Sequence, residues 1–159
     1  MSLALIEATD AHYAWMLGEA PEPERLALAP GGIDEGWVIR WLRRNLARFG
    51  PGSAWLMLVG REVVGLCSHK TAPNEAGEVE IGYGVAEQRR RLGYATRAVA
   101  LIVDAARDDP RIQALTAETA LANEPSQRVL AANGFVRAGR GHDDDEGETI
   151  VWRLATPSR

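Results

Sequence analysis

The segment Glu78 to Val85 alternates strictly, with Val79, Ile81, Tyr83 and Val85 on one side and Glu78, Glu80, Gly82 and Gly84 on the other. That two-residue period is the mark of a strand with one buried face. The loop Gln88-Arg89-Arg90-Arg91-Leu92-Gly93-Tyr94-Ala95 follows it directly and leads into helical spacing from about Tyr94 to Asp108. Ala95, Ala98, Val99, Ile102, Ala105 and Ala106 form the expected buried stripe, and Asp109-Pro110 ends the helix. A second strand, Ile112 to Thr119, and a second helix, Pro125 to Asn133, come next. Strand, helix, strand, helix in this order implies a parallel pair joined by a right-handed crossover. The chain is therefore constrained to an α/β fold in its second half.

The first half supplies antiparallel elements. Leu3 to Glu7 suits a short strand, and Thr9 suits the N-cap of a helix through Leu17. Glu19 to Gly32 is rich in Pro, Glu and Gly and reads as loop. Asp34 to Phe49 reads as a helix, with Val38, Trp41, Leu42, Asn45, Leu46 and Phe49 on one face and Arg40, Arg44 and Arg48 on another. Ala54 to Val59 and Val63 to His69 form a hairpin around Gly60-Arg61-Glu62. A trailing hairpin uses strands near Phe135 to Ala138 and Thr149 to Leu154, with Gly139 to Glu148 as an acidic, mobile link. The sheet is thus mixed, with one domain expected over residues 1–159.

Bulk composition narrows the function classes. A net charge of -4 argues against a general nucleic-acid binder, although Arg89-Arg90-Arg91 is a local basic patch. No apolar run is long enough to cross a bilayer. The N-terminus has no basic start followed by an apolar core, so a cytoplasmic location is the expectation. One cysteine, Cys67, excludes an internal disulfide, and His12, His69 and His142 lack metal-ligand spacing. No metal is expected.

The loop after the strand is the first stretch with chemistry. A strand that feeds a helix presents unpaired backbone N–H groups at the helix start, and these bind anions together with the helix dipole. Gly93 and Ala95 let the backbone come close to a phosphate, and Arg90 and Arg91 can pair with its oxygens. The other reading is a basic surface loop capping an ordinary helix. The second stretch is Asn123-Glu124-Pro125-Ser126-Gln127-Arg128-Val129-Leu130, closed by Asn133-Gly134-Phe135. Pro125 suits a first helical turn with Asn123 or Glu124 as cap, and Asn133-Gly134 suits its end.

In this order and spacing the two stretches resemble the acyl-CoA-binding core of the GNAT superfamily of N-acetyltransferases, over roughly Ala54 to Leu154. The nearest branch includes ribosomal-protein N-terminal acetyltransferases. The resemblance implies a mixed, mostly antiparallel sheet with a splayed parallel strand pair and flanking helices. It implies acetyl-CoA as cosubstrate, and direct attack of a primary amine, such as a peptide N-terminal α-amine, on the thioester. Cofactor contacts would come from Val85, Arg90, Arg91, Gly93, Tyr94, Ala95, Thr96, Asn123 and Ser126. The spacing Arg90-x-x-Gly93-x-Ala95 matches the family's pyrophosphate signature, but Arg91 stands where the family often carries Gly.

Glu80 shares a strand face with two glycines, which leave room for a ligand. Its readings are a proton acceptor for the attacking amine, as the resemblance implies, or a salt-bridged strand carboxylate. Leu130 replaces the Tyr that many relatives use to protonate the thiolate; Ser126 resembles a serine proposed for that role, and also suits a helix start or a CoA contact. Trp37 is an acceptor-wall candidate or a surface aromatic, Trp41 reads as core, and Tyr83 and Tyr94 read as packing residues. Asp143-Asp144-Asp145-Glu146 is a solvated turn or a field that draws a cationic amine. The expected partner is a small-molecule or peptide amine acceptor, with homodimerisation also open and no nucleic acid or membrane. A non-catalytic acyl-CoA-binding domain is the alternative of another class, and an amino acid, polyamine or antibiotic is the alternative acceptor.

Overall fold

The structure, a computed structural model, describes residues 2–157, so the ends of the expected 1–159 domain lie outside the described residues. The chain divides into two compact units, Met1–Lys70 with Gly82–Ala98, and Thr71–Ile81 with Val99–Arg159. The elements in order are β1 (Leu3–Glu7), α1 (Asp10–Met16), β2 (Ala27–Leu28), α2 (Gly36–Phe49), β3 (Ala54–Val59), β4 (Glu62–His69) and β5 (Glu78–Val85), then a 3-10 turn (Glu87–Arg89), α3 (Tyr94–Arg107), β6 (Ala114–Ala120), α4 (Glu124–Ala132), β7 (Val136–Asp143) and β8 (Gly147–Ala155). The sheet order is β1-β3-β4-β5-β6-β8-β7, with β2 alongside β4, so eight strands form one mixed, mostly antiparallel sheet.

In the first unit, β1 pairs antiparallel with β3 and β3 with β4. Thr9 caps α1 in a reciprocal capping box with His12. The core joins Ala8 and Tyr13, Ile39 and Leu42 of α2, and Leu56, Val63 and Leu66 of the sheet. Ile39, only 3% exposed, is the most buried residue of α2, although the expected apolar face omitted it. Arg43 clasps α1 to α2 through both oxygens of Asp10, at 2.6 and 3.0 Å, and through Glu19 at 2.8 Å. That guanidinium holds the Asp10 carboxyl below its ordinary range. The expected loop over Glu19 to Gly32 contains β2, whose two residues pair parallel with Glu62 and Val63.

In the second unit, the parallel ladder of β5 and β6 has three pairs, Glu78–Ala114, Val79–Leu115 and Glu80–Thr116. It stops there although both strands continue, so the pair is splayed as expected. Val103, not Ala105, completes the buried stripe of α3 with Val99, Ile102 and Ala106. One residue is 100° of helix, and Val103 stands one turn from Val99 and Ala106, whereas Ala105 points out. The acidic link is also corrected. β7 runs on to Asp143 and pairs with β8 through His142–Glu148 and Asp143–Gly147, leaving only a tight turn. In that turn the Asp143 carboxylate accepts the N–H groups of Asp145 and Glu146. No helix among the described residues is long and apolar enough to cross a membrane.

Candidate active site

The loop between β5 and α3 is fixed at its near end by backbone and side-chain bonds. Ala86 is buried and donates its N–H to the Val64 carbonyl at 2.8 Å. Arg89 closes the 3-10 turn and forms a two-pronged pair with Glu62 at 2.6 and 3.3 Å. Arg89 therefore anchors the loop to β4, which leaves the exposed Arg90 and Arg91 as the cations of the loop's outer part. Arg90 Nε donates to the Val85 carbonyl at 3.1 Å. Arg91 has φ of 66° and Gly93 of 80°, both in the left-handed region. α3 begins at Tyr94, and Arg97 N–H donates to the Gly93 carbonyl, closing the first helical turn. Left-handed residues directly before a helix start bring backbone N–H donors and the positive end of the dipole together, the chemistry of an anion cradle. An added Cβ on Gly93 would meet no atom within 4 Å, so its place in the loop is set by backbone angle rather than crowding.

The same unit holds a cleft of about 150 Å³. Asp34, Val38, Trp41 and Leu42 line it from α2 and the residues just before it; Leu66, Cys67, Ser68 and Lys70 line it from β4 and just beyond; Gly82, Tyr83 and Gly84 line it from β5. Within α2, Val38, Trp41 and Leu42 have the spacing i, i+3, i+4 of a single helix face, and Asp34 lies two residues before the helix. The Lys70 stem lies over Gly82, where a Cβ would come 3.0 Å from its Cδ. β4 and β5 approach closely at Gly65, where a Cβ would stand 2.5 Å from the Gly84 carbonyl oxygen and 2.7 Å from Met57 Sδ. Cys67 is buried, and desolvation pushes its thiol well above the ordinary range, so its role in the wall is packing. Asp34 Oδ1 accepts the Glu35 N–H at 2.8 Å.

Trp37 stands outside this cleft: it is 60% exposed and donates its indole N–H to Glu35 Oε2 at 2.6 Å. Trp41, one turn on and read from sequence as core, is the tryptophan that lines the cleft, and Tyr83, read as packing, lines it too. Asp34 was missed. Its sequence signal was an acidic residue one turn before the apolar stripe Val38, Trp41, Leu42.

In the second unit, Asn123 is the N-cap of α4, and its side chain accepts the Ser126 N–H at 3.2 Å. Ser126 is half-buried in the first turn, and Leu130 is fully buried. Glu80 is half-buried, donates its backbone N–H to Thr71 Oγ1 at 3.0 Å, and belongs to the last pair of the parallel ladder. No group of three or more His, Cys, Asp or Glu among the described residues could hold a metal ion.

A splayed strand pair, an arginine and glycine loop with left-handed turns, and a helix starting on that loop define an acyl-CoA acyltransferase class of fold. The family model of the acetyltransferase (GNAT) domain matches residues 2–136. The chain belongs to this family of acetyl-CoA-dependent N-acetyltransferases. Among solved structures, the aminoglycoside acetyltransferase AAC(6')-Ib in complex with coenzyme A is 15% identical, with a TM-score of 0.71 over 97% of this chain and 95% of that one. A GNAT-family acetyltransferase from Streptococcus pneumoniae is 11% identical, with 0.69 over 97% and 99%. The yncA protein from Salmonella typhimurium, solved with its cofactor acetyl-CoA, is 14% identical, with 0.67 over 99% and 95%. At these identities the likeness is one of fold. No curated protein matches the chain.

Proposed function

We propose that this chain binds acetyl-CoA with its pyrophosphate on the Arg90 to Thr96 segment and transfers the acetyl group to a primary amine in the cleft of α2, β4 and β5. The observation that carries this reading is the paired left-handed turn of Arg91 and Gly93 at the start of α3. Relatives of the same fold were solved with coenzyme A or acetyl-CoA, which supports it. In the step, the neutral amine attacks the thioester carbonyl carbon, the C–N bond forms, and the C–S bond breaks as the tetrahedral intermediate collapses. The nitrogen loses one proton and the CoA thiolate gains one, giving an amide and CoA.

A backbone N–H at the Gly84–Val85 strand end is the proposed donor to the developing oxyanion. By resemblance to the family, Glu80 is assigned the amine's proton, Ser126 the proton for the thiolate, and Asn123 a contact to the pantetheine arm. Seating both reactants in one complex supplies much of the rate.

The acceptor is proposed to be an amine of low pKa, such as a peptide α-amine. An α-amine titrates near 7.7–8.0 and a lysine near 10.4, so deprotonating lysine at pH 7 costs roughly 3 kcal/mol more. A cleft of about 150 Å³ suits one terminal residue or a small amine, being below the roughly 300–1,000 Å³ of drug-sized sites. AAC(6')-Ib, of the same fold, was also solved with kanamycin, which keeps small-molecule amines in the test. Leu130 stands where the family resemblance places a Tyr acid, and the lack of that acid motivates the second reading, a domain that binds acyl-CoA without turnover. Calorimetry with acetyl-CoA, beside thiol release over a panel of small amines, free-N-terminal peptides and N-blocked lysine peptides, separates these readings. Binding without thiol release on any amine would establish the second, and absence of binding would end both. Faster modification of blocked lysine peptides would overturn the α-amine preference.

A further inference from the structure

We propose that the outer face of α2 is a docking surface for an acidic segment of another polypeptide. At about 100° of helix per residue, Trp37, Arg40, Arg44 and Arg48 fall within roughly 80° of one another and form one line along α2. All four are exposed, Trp37 by 60%. At about 1.5 Å per residue the line is roughly 16 Å long. None of the ion pairs among the described residues uses its three arginines, and α2 contains no acidic residue. Arg43, on another side of the helix, is the α2 arginine that is paired, with Asp10 and Glu19. Arg40 lies back over Gly36, and the Arg48 guanidinium stands 5.7 Å over the Phe49 ring.

Helix stability alone does not select such a line. Arg40 with Arg44, and Arg44 with Arg48, are like-charge pairs four residues apart, and each destabilises the helix where a glutamate at the middle position would stabilise it. The whole chain carries a charge of -4, so the line is a local reversal of sign. An anionic partner relieves the repulsion, and the ends of the line indicate its class. Glu35 Oε2 accepts the Trp37 indole N–H and Asp34 precedes it, so the Trp37 end is negative. A nucleic-acid strand, charged along its whole length, is repelled at that end and by the net charge. A bilayer surface needs an apolar helix face to enter it, and Ile39 and Leu42 of α2 are buried in the core. A polypeptide can set an apolar side chain on Trp37 and carboxylates on the arginines. Extended chain presents alternate side chains about 6.7 Å apart, close to the rise of roughly 6 Å from Arg40 to Arg44 and from Arg44 to Arg48.

The test measures fluorescence anisotropy of labelled, N-blocked peptides at low salt, each a leucine followed by three glutamates, three glutamines or three lysines at alternate positions. The block removes any acetyl transfer, so the result is independent of the acetyl-transfer reading above. The glutamate peptide should bind roughly threefold to thirtyfold more tightly than the glutamine peptide, and the difference should vanish at about 0.5 M salt. The triple variant Arg40→Gln, Arg44→Gln, Arg48→Gln keeps good helix formers and should erase the preference, with the melting temperature unchanged or raised because the like-charge pairs are gone. The triple variant Arg40→Glu, Arg44→Glu, Arg48→Glu should turn the preference to the lysine peptide, a reversal no loss of stability produces. Equal binding of the glutamate and glutamine peptides by the wild type, or a preference that survives the glutamine variant, overturns the inference. Binding of a short single-stranded RNA, or of phosphatidylserine vesicles, that is tighter than that of the glutamate peptide and lost in the glutamine variant also overturns it and assigns the face to that other class.

Discussion

Gly93→Val separates backbone strain from ligand contact at the loop. Gly93 has φ of 80°, and its added Cβ meets nothing within 4 Å, so no clash inside the protein opposes the substitution. The cost to the fold is the left-handed conformation, about 1–2 kcal/mol for a residue with a Cβ. At about 2–4 °C per kcal/mol for a domain of this size, the melting temperature should fall by roughly 2–8 °C. The cost to the ligand is separate. If the pyrophosphate rests against this backbone, the new side chain occupies its place and removes about one charge-assisted hydrogen bond. That is worth roughly 1.5–3 kcal/mol, or about tenfold to a hundredfold in Kd. Gly147→Val is the matched control, since Gly147 has φ of 78°, also meets nothing within 4 Å, and lies in the β7–β8 turn. It should cost similar stability and leave CoA affinity alone. Calorimetry with CoA and thermal melts of both variants give the answer. A folded Gly93→Val protein with wild-type affinity removes the loop from the site, and equal weakening by Gly147→Val assigns the effect to general destabilisation.

Glu80→Gln should leave CoA affinity unchanged and lower turnover at pH 7, with recovery at high pH, where the acceptor deprotonates unaided; unaltered turnover at pH 7 would take Glu80 out of the proton path. Gly65→Ala should destabilise the fold by about 1–3 kcal/mol, because its Cβ would stand 2.5 Å from the Gly84 carbonyl, and should raise the acceptor KM by shifting the β5 wall; a denaturant midpoint equal to wild type contradicts it. Cys67 should resist thiol reagents at pH 8 in the native protein and react on unfolding. Because burial raises its folded pKa, the folded state keeps the proton that the unfolded chain releases, so stability should fall as pH rises past about 8.5, and a native thiol that labels rapidly would refute this.

The strands and helix caps were legible where the signal is local. Alternation fixes β5 at Glu78–Val85, and Thr9 caps α1 through contacts three residues away. β2 was illegible because its two residues are strand only through the partner supplied by β4. β7 was read too short because its acidic, glycine-containing end is held extended by pairing with β8, not by its own propensity. The cleft was legible only in part, since Asp34, Trp41 and Tyr83 come from separate segments and share space rather than a motif. A tryptophan on an apolar helix stripe gives the same pattern whether it faces core or cleft.

Arg91 shows where a departure from a family pattern is informative. An arginine at a position that often carries glycine argues, by residue type alone, for a relaxed turn. The structure instead keeps Arg91 at φ of 66°. The turn is determined by its surroundings: Ala86 on the Val64 carbonyl, Arg89 on Glu62, Arg90 on the Val85 carbonyl, and Gly93 before α3. A strained non-glycine residue persists only when its neighbours over-determine it, at about 1–3 kcal/mol. If the proposed pyrophosphate site is right, that cost places a second guanidinium at the helix start, where it would add to the hold on the anion.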